Sequence, residues 1–193
     1  MTQIAEAKSE ARIRAEAVRV AAHAAAPGAG RIAAGHALGY IAKLHGARRV
    51  SVFLSFRTEI DTAPLMAGLH GLGYEVGLPV VEAEAMPLKC RLWAPGAELA
   101  RGRFGVAIPK ADVPEMIPEV LIVPLLAFTD SAHRLGYGGG FYDRTLAALR
   151  ATDAPVTAVG FGYAAQRVAE MPLEPTDLAL EAVVTEAGVM RPA

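Results

Sequence analysis

The apolar segment EVLIVPLLAF at residues 119–128 constrains the fold of this chain more than any other feature. After Glu119 it contains no polar side chain, which is typical of a strand buried on both faces of a parallel sheet. Predicted helices and strands alternate on both sides of this segment. Such alternation favours an α/β domain in which helices cover both faces of a mostly parallel sheet.

The remaining elements follow from periodicity and turn residues. The predicted helices are 3–25, 30–45, 61–73 and 142–150. The predicted strands are 49–56, 74–81, 88–93, 119–128, 156–163 and, as the last, 181–188. Asp61 or Thr62 is expected to cap the third helix, with Pro64 in its first turn and Gly73 after its end. Residues 94–114 are loop-rich and receive no element.

Composition indicates one globular domain in a reducing compartment. The chain has 193 residues, of which 53% are hydrophobic, so it can bury a sizeable core. A formal net charge of -1 provides no broad basic field for nucleic acid. Cys90 is the only cysteine, which excludes an internal disulfide and disfavours a cysteine-ligated zinc site.

The sequence carries no recognisable targeting or membrane-spanning segment. Residues 1–20 mix acidic and basic side chains along a helical pattern and lack the apolar run of a secretory signal. No uncharged apolar stretch reaches the roughly 18 to 20 residues that cross a bilayer. We therefore expect a soluble cytoplasmic protein that binds neither nucleic acid nor a membrane.

Four glycines lie within five positions of RLGYGGGFYDR, residues 134–144, and only Tyr137 interrupts them. They come after a buried strand and before a helix, and ligands in open α/β sheets bind outside the carboxyl ends of strands. Glycines there let backbone amides approach a ligand, and the helix presents free N–H groups and the positive end of its dipole. The pattern predicts an anion site, most often for phosphate.

Two common phosphate motifs do not match this loop. A Walker A loop ends in Gly-Lys-Ser/Thr, whereas this loop ends in Gly140-Phe141-Tyr142. A dinucleotide fingerprint needs G-x-G-x-x-G after the first strand, but Phe141 occupies the third glycine position and the loop comes late in the chain. A tight turn without a ligand is the other interpretation, and the flanking Arg134 and Arg144 argue against it.

The segment VPLLAFTDSAHRLGYGGGFYDRTL resembles the signature of the 5-formyltetrahydrofolate cyclo-ligase family, also called methenyltetrahydrofolate synthetases. The likeness extends along most of the chain, through Lys8 and Arg12, FLSFRTEIDT, LPVV with PLKCRLW, and VGFGYAAQ with MPLEPTD. It implies a three-layer, Rossmann-like α/β fold. It also implies one cyclo-ligase domain over residues 1–193, with the helix at 3–25 packed on it.

The resemblance implies an activity as well. The family uses ATP and Mg²⁺ to convert 5-formyltetrahydrofolate to 5,10-methenyltetrahydrofolate, with release of ADP and phosphate. The formyl oxygen attacks the γ-phosphate, N10 of the folate attacks the activated formyl carbon, and phosphate leaves as the ring closes. A protein catalysing this reaction must mainly position groups and neutralise charge. We expect a monomer, and whether its folate substrate carries a polyglutamate tail is open.

The resemblance assigns a nucleotide site. The residues implied to cradle the triphosphate are Lys8, Arg12, Arg134, Leu135, Gly136, Tyr137, Gly138, Gly139, Gly140, Phe141 and Tyr142. Arg134, Tyr137 and Gly139 are the residues implied to act in the transfer itself. Arg134 offers a fixed fork of donors, and bare glycine amides can lie against the transferring phosphoryl group.

The folate and metal sites are implied in the same way. The residues implied to line the folate pocket are Phe56, Glu59, Asp61, Tyr137, Gly138, Gly139, Gly140 and Phe141. An acidic side chain can accept a hydrogen bond from the N–H edge of the pterin, and Glu59 and Asp61 are both open for that role. Asp143 and Asp177 are the implied Mg²⁺ ligands, since Mg²⁺ usually takes one or two carboxylates plus phosphate oxygens.

Several of these residues also have a purely structural interpretation. Lys8 and Arg12 can form a solvated helix face. Asp61 can be only an N-cap and Asp177 can close a turn. Phe56 can be plain core.

Three further residues are given structural roles. Trp93 is expected to pack against the core, His133 to be a loop residue, and Cys90 to be a buried apolar side chain.

The chain departs from the family pattern at four positions. Thr129 and Ala132 stand where an aspartate and a glycine are usual. Phe141 replaces the first tyrosine of a pair, and Glu181 replaces a frequent aspartate. These departures motivate an alternative, a non-catalytic paralogue that binds 5-formyltetrahydrofolate and ATP as a folate sink or regulator. A nicotinamide-dependent oxidoreductase is a third hypothesis, which the missing third glycine argues against.

Overall fold

The computed structural model describes residues 3–44, 46–152 and 156–192. The α-helices along these residues are α1 (Gln3–Ala25), α2 (Ala29–Ile41), α3 (Ala63–Gly71) and α4 (Phe141–Arg150). The β-strands are β1 (Arg49–Ser51), β2 (Glu75–Val80), β3 (Lys89–Trp93), β4 (Leu99–Arg101), β5 (Ala107–Pro109), β6 (Glu115–Met116), β7 (Val120–Val123), β8 (Ala127–Phe128), β9 (Arg134–Leu135), β10 (Thr157–Phe161), β11 (Ala182–Thr185) and β12 (Gly188–Met190).

An eight-stranded sheet lies at the centre, in the order β12-β11-β10-β7-β1-β2-β3-β6. The five strands from β11 to β2 pair in parallel. Antiparallel pairing adds β12 at one edge and β3 with β6 at the other. The prediction of a mostly parallel sheet in an α/β fold is confirmed.

Alternate side chains along β7 enter two different cores. Val120 and Ile122 pack in the core that α2 and α3 cover. Leu121 and Val123 pack on the opposite face, together with Leu146 of α4. Helices therefore cover both faces of the sheet, as predicted, and all four residues of β7 are buried.

The loops after β1 and β7 meet at a reversal of the strand order. These two strands are parallel neighbours, but β1 continues into α3 on one face and β7 leads to α4 on the other. In open α/β sheets, such a reversal opens a crevice at the carboxyl ends of the strands, where ligands bind. Residues 52–62 and 124–140 border this crevice.

The predicted strand 119–128 is wrong in its second half. β7 ends at Val123, because Pro124 has no N–H to give to a sheet. The carbonyls of Leu125 and Leu126 accept hydrogen bonds from Nε2 of Gln166 at 2.7 and 3.0 Å. β8 then pairs with β9 in a separate two-stranded sheet.

Other predicted boundaries differ by smaller amounts. The strand predicted at 49–56 ends at Ser51, and the rest of it belongs to the crevice loop. The strand predicted at 181–188 is β11 followed by a turn into β12, which is the last strand. Residues 94–114 contain the β4–β5 hairpin.

Helix boundaries are closer to the predictions. α1 has the predicted range, and α2 ends at Ile41, before residue 45, which lies outside the described residues. Across the described ranges, none of the helices combines the length and apolarity needed to span a membrane.

Candidate active site

The glycine loop, residues 136–140, leads from β9 into α4. Gly138 and Gly140 have φ values of 98° and 63°, which favour glycine because it lacks a Cβ. Tyr137, Gly138 and Gly139 are exposed. α4 begins after Gly140 without a side-chain cap from the described residues. The loop therefore presents bare backbone and a helix N-terminus to the crevice, an arrangement that suits an anion.

Two arginines hold the loop by its carbonyl groups. Arg12 of α1 donates from Nε to the carbonyl of Gly136 at 2.9 Å. Arg144 of α4 donates from Nη2 to the carbonyl of Gly139 at 2.5 Å. A Cβ atom at Gly138 would lie 3.2 Å from Cζ of Arg12. The loop thus lies between two positive charges that approach its backbone closely.

Arg134 and Asp143 form an ion pair at the start of α4. Nη2 of Arg134 lies 2.9 Å from Oδ1 of Asp143, and the Arg134 side chain is almost fully buried. Arg134 also donates to the carbonyl of Leu178 at 3.2 Å. The N–H of Leu178 donates to Oδ1 of Asp143 at 3.4 Å. Residues 177–178 are thereby brought beside the first turn of α4.

Lys8 is buried and ion-paired, so a solvated helix face does not describe it. Its Nζ lies 2.7 Å from Glu174 and 2.5 Å from Asp177. Burial lowers the pKa of the Lys8 ammonium, but the hydrogen bonds and charges of Asp177 and Glu174 together raise it above its usual value. Asp177 also accepts from the N–H of Glu174 at 2.7 Å, which closes a turn.

The two predicted magnesium ligands are each bonded to a cation through one oxygen. Asp143 uses Oδ1 toward Arg134, and Asp177 uses Oδ2 toward Lys8. Among the residues that the structure describes, no group of three or more His, Cys, Asp or Glu side chains is arranged to hold a metal ion. A pair of carboxylates is a donor set that fits Mg²⁺ when phosphate oxygens complete its coordination.

Tyr137 connects the glycine loop to the loop that follows β1. Its hydroxyl donates to Oε1 of Glu59 at 2.7 Å, and the N–H of Phe56 donates to Oε2 at 2.8 Å. Burial raises the pKa of Glu59, while the Tyr137 hydroxyl, the Phe56 N–H and the charge of Arg19 each act to lower it. Burial and the Glu59 charge raise the pKa of Tyr137, so its hydroxyl stays a donor at neutral pH.

The two acids left open by the sequence occupy different places. Asp61 is exposed, and its Oδ1 accepts from the N–H of Ala63 at 3.0 Å at the start of α3. Thr62, the N-cap residue, makes no capping bond with its side chain. Glu59 is buried and touches Tyr137. Glu59 is therefore the acid that faces the glycine loop.

Aromatic rings border the start of α4. The rings of Phe141 and Phe104 meet edge to face, with centroids 6.3 Å apart, and Cζ of Arg144 lies 5.3 Å from the Phe141 centroid. Burial raises the pKa of Tyr142 well above its usual value. Phe56 is half-buried rather than plain core. Phe104 was not predicted, because it lies in the segment that received no element.

Arg19 is the second residue that sequence reasoning missed. The buried residues of α1 are Lys8, Ala15, Arg19 and Ala22. Arg19 follows Arg12 by seven residues, which places both on one helical face. That spacing is the signal in the sequence that could have pointed to it.

Two of the departures from the family pattern, Ala132 and Glu181, are accommodated by local hydrogen bonds. Ala132 has φ 56°, a left-handed conformation in which a non-glycine residue costs about 1 kcal/mol. Its N–H still donates to the carbonyl of Thr129 at 2.9 Å, which closes the turn. Glu181 accepts from Arg150 at 2.5 Å and from the N–H of Ala158 at 2.6 Å, a structural role.

The residues given structural roles behave as expected. Cys90 is buried with a free thiol. Trp93 packs partly buried against the core. His133 lies in the turn before β9, where its Nδ1 is 3.0 Å from Oγ of Ser131.

Two cavities lie outside the crevice. One of about 260 Å³ lies between α1 and residues 165–172, and Leu135 from the predicted nucleotide set lines it. The other, of about 420 Å³, lies between α4 and the β3–β6 edge. Glu59 and the glycine loop line neither of these two cavities.

Comparison with known proteins places this geometry in a family. Residues 4–186 match the model of the 5-formyltetrahydrofolate cyclo-ligase family. The chain is 41% identical over 148 residues to the 5-formyltetrahydrofolate cyclo-ligase of Escherichia coli (strain K12), covering 74% of this chain and 80% of that protein. It is 33% identical over 150 residues to the Haemophilus influenzae protein of the same name, covering 75% and 79%.

A solved structure shares the fold. The NMR structure of Aquifex aeolicus 5,10-methenyltetrahydrofolate synthetase matches with a TM-score of 0.73 at 24% identity, over 95% of this chain and 92% of that chain. The glycine loop, Glu59 and both predicted metal ligands all lie within the matched range 4–186. This chain therefore belongs to the 5-formyltetrahydrofolate cyclo-ligase family, whose members are ligases.

Proposed function

We propose that this chain is an ATP-dependent enzyme that converts 5-formyltetrahydrofolate to 5,10-methenyltetrahydrofolate and releases ADP and phosphate. The observation that carries the proposal is the 2.7 Å hydrogen bond from Tyr137 to Glu59. It joins a loop suited to phosphate with a loop suited to the N–H edge of a pterin, at the strand-order reversal where α/β sheets bind ligands.

The glycine loop supports the nucleotide half of the proposal. Its exposed backbone at Gly138 and Gly139 and the uncapped start of α4 suit the phosphates of ATP. Arg12 contacts the loop, and Arg134 lies beside the start of α4. Fixed positive charges and N–H groups stabilise charge on a transferring phosphoryl group.

The Glu59 loop supports the folate half. A buried carboxylate whose oxygens already accept from Tyr137 and from the N–H of Phe56 is fixed in direction. Its remaining lone pairs suit the N–H donors of a pterin ring. Rings of Phe56 and Phe141 would flank the ligand. A hydrogen bond from a charged acceptor is worth about 1.5–3 kcal/mol, so Glu59 would contribute strongly to folate affinity.

The chemistry divides into two transfers. The formyl oxygen attacks the γ-phosphorus of ATP, and the bond to the β,γ-bridging oxygen breaks to release ADP. N10 then attacks the formyl carbon and loses its proton, and the carbon–oxygen bond to phosphate breaks as the ring closes. In this proposal Arg134, Tyr137 and Gly139 hold the reacting groups in place, and positioning supplies most of the rate.

Asp143 and Asp177 would hold Mg²⁺, which would neutralise negative charge on the phosphates during the transfer. In the absence of ligand, each carboxylate is ion-paired, Asp143 with Arg134 and Asp177 with Lys8.

We also propose one cyclo-ligase domain that acts as a cytoplasmic monomer. The free, buried Cys90 suits a reducing compartment. Both loops of the crevice come from the same chain, so the site needs no second copy. Polyglutamylated substrate can be compared with the monoglutamate in the assay below.

The test is a direct assay of the product. Purified protein is mixed with 5-formyltetrahydrofolate and Mg-ATP, and the near-ultraviolet absorbance of the methenyl product is followed with and without ATP. ATP-dependent growth of that band supports the proposal. Folate binding by calorimetry without any band would instead indicate the non-catalytic paralogue, and the absence of both would contradict the whole proposal.

A further inference from the structure

Arg19 forms a network with Tyr137 and Glu59, and the reaction scheme above gives Arg19 no role. Arg19 lies on α1 and is 1% exposed. Its Nε donates to Oγ1 of Thr58 at 3.1 Å, and its Nη1 donates to the hydroxyl of Tyr137. The same Nη1 lies 3.9 Å from Oε1 of Glu59. The Tyr137 oxygen therefore accepts from a cation while it donates to a carboxylate.

The phenol depends on these partners for its position. Tyr137 is 51% exposed, and its neighbours Gly136 and Gly138 have no side chains that could pack against its ring. Cζ of Arg19 lies 5.3 Å from the centre of that ring, within range of a cation–π interaction. Arg19 thus contacts both the ring and the hydroxyl, and Glu59 accepts a hydrogen bond from the hydroxyl.

Stability alone does not explain a guanidinium at this place. Burying a charge is costly unless all of its donors are paired. Nη2 of Arg19 is buried and has no hydrogen-bond partner within the described part of the chain. An apolar side chain on this face of α1 would avoid that cost. A buried charge directed at two predicted substrate-binding side chains indicates a role in the site.

We propose that Arg19 is a positioning residue of the cyclo-ligase site, which holds the Tyr137 phenol against Glu59 so that both present fixed groups to the folate. This inference rests on the proposed function, because it takes Glu59 as the acceptor for the pterin. Arg19 acts through these two side chains and is given no contact with the reacting atoms.

A consequence for pH dependence follows from the charges around Glu59. The groups that face its carboxylate are Arg19 from α1, Tyr137 from the glycine loop and Tyr142 from α4. Burial raises the pKa of Glu59 and the Arg19 charge counteracts it. Loss of the Arg19 charge raises the pKa of Glu59 further. Because folate binding needs the ionised carboxylate, acidification of the medium then abolishes binding at a higher pH than in the wild type.

The experiment measures the Kd of 5-formyltetrahydrofolate by calorimetry across a pH series. Arg19→Met is expected to weaken binding at neutral pH by roughly 10-fold or more. It should also move the acid limb, the part of the pH profile in which binding is lost on acidification, to higher pH. Arg19→Lys keeps the charge, so its acid limb should stay near that of the wild type while its affinity falls. Titration of the folate itself is common to all variants and cancels in the comparison.

The matched control is Arg14→Met on the same helix. Arg14 is exposed and pairs with Glu10 at 3.6 Å, so its loss should change neither the Kd nor the acid limb. Circular dichroism and thermal unfolding establish that each variant is folded. If Arg19→Met is unfolded, Arg19→Lys is the variant that tests the inference. Lysine keeps the positive charge but lacks the planar set of donors of arginine.

Glu59→Gln isolates the mechanism. In that background the titrating carboxylate is gone, so Arg19→Met should no longer move the acid limb. The inference is overturned if Arg19→Met leaves the acid limb of folate binding in place, or if it moves the limb equally in the Glu59→Gln background. A failure of the proposed function appears elsewhere, as a wild type that forms no methenyl band, and leaves this binding measurement valid.

Discussion

The hydroxyl of Tyr137 donates a 2.7 Å hydrogen bond to Glu59, a residue 78 positions earlier in the chain. The bond links the exposed part of the glycine loop to a buried carboxylate in the neighbouring loop. Arg12 holds the same loop through the carbonyl of Gly136. The shape of the crevice thus depends on contacts between three separate segments of the chain.

Tyr137→Phe should weaken folate binding by roughly 10-fold without unfolding the chain. The variant keeps the ring beside Arg19 but removes the donor that helps to lower the pKa of Glu59. The pKa of Glu59 then rises further, so kcat/KM for the folate begins to fall at a higher pH when the medium is acidified. Tyr74→Phe is the control, because Tyr74 lies immediately before β2 and contacts Arg48 instead. An unchanged acid limb would contradict the assigned link.

Gly138→Ala should cost about 1–2 kcal/mol of stability, because an alanine is strained at φ 98°. The added Cβ would also press on Cζ of Arg12 at 3.2 Å and displace it from the loop. Because Arg12 and Gly138 belong to the proposed nucleotide site, we also expect the KM for ATP to rise. Urea unfolding and initial rates measure the two effects.

Gly35→Ala is the matched glycine control. Gly35 lies inside α2, and a Cβ there meets nothing within 4 Å. The substitution should raise stability by about 0.5–1 kcal/mol and leave activity unchanged. If both glycine variants behaved alike, the left-handed conformation of Gly138 would not be the cause.

Asp143→Asn should reduce turnover by on the order of 10²-fold and raise the Mg²⁺ concentration needed for half-maximal rate. The amide keeps an acceptor for the N–H of Leu178, so the fold should persist with a loss of about 1–3 kcal/mol from the weakened Arg134 pair. Asp130→Asn is the control, because Asp130 is exposed and pairs with Arg167. Full activity with unchanged Mg²⁺ dependence would show the metal assignment to be wrong.

Lys8→Met should destabilise the chain by about 1–3 kcal/mol, because Glu174 and Asp177 lose their shared cation. It should also raise KM for ATP if Lys8 reaches the phosphates. Adding Asp177→Asn to this variant should restore part of the stability, since one unpaired charge disappears, but not the ATP affinity. Lys43→Met, at an exposed position after α2, should change neither quantity.

Cys90 predicts a pH dependence of stability. Burial raises the pKa of its thiol from 9.0 to about 11, with a smaller opposing effect from Ser51. The unfolded chain therefore loses this proton first, and stability falls as pH rises from about 9 through about 11. The free energy of unfolding of the wild type, minus that of Cys90→Ala, should decline across this window. A constant difference would contradict the burial of the thiol.

Much of the element order was predictable because its signals are local. The range of α1, the buried centre at β7 and the left-handed glycines before α4 follow from periodicity and backbone chemistry. The break after Val123 was not predictable from hydropathy. Pro124 ends β7 locally, and Gln166 from a distant segment then supplies hydrogen bonds to the carbonyls of Leu125 and Leu126.

The sequence by itself determined the types of element, the glycine loop before a helix, and a family signature rich enough to name its relatives. Only the tertiary structure decided that β1 lies beside β7, that Glu59 rather than Asp61 meets Tyr137, and that Arg19 joins them. The physical reason is that periodicity and turn chemistry act over a few residues. Which distant side chains share a buried hydrogen bond depends on strand order and on the packing of the whole chain.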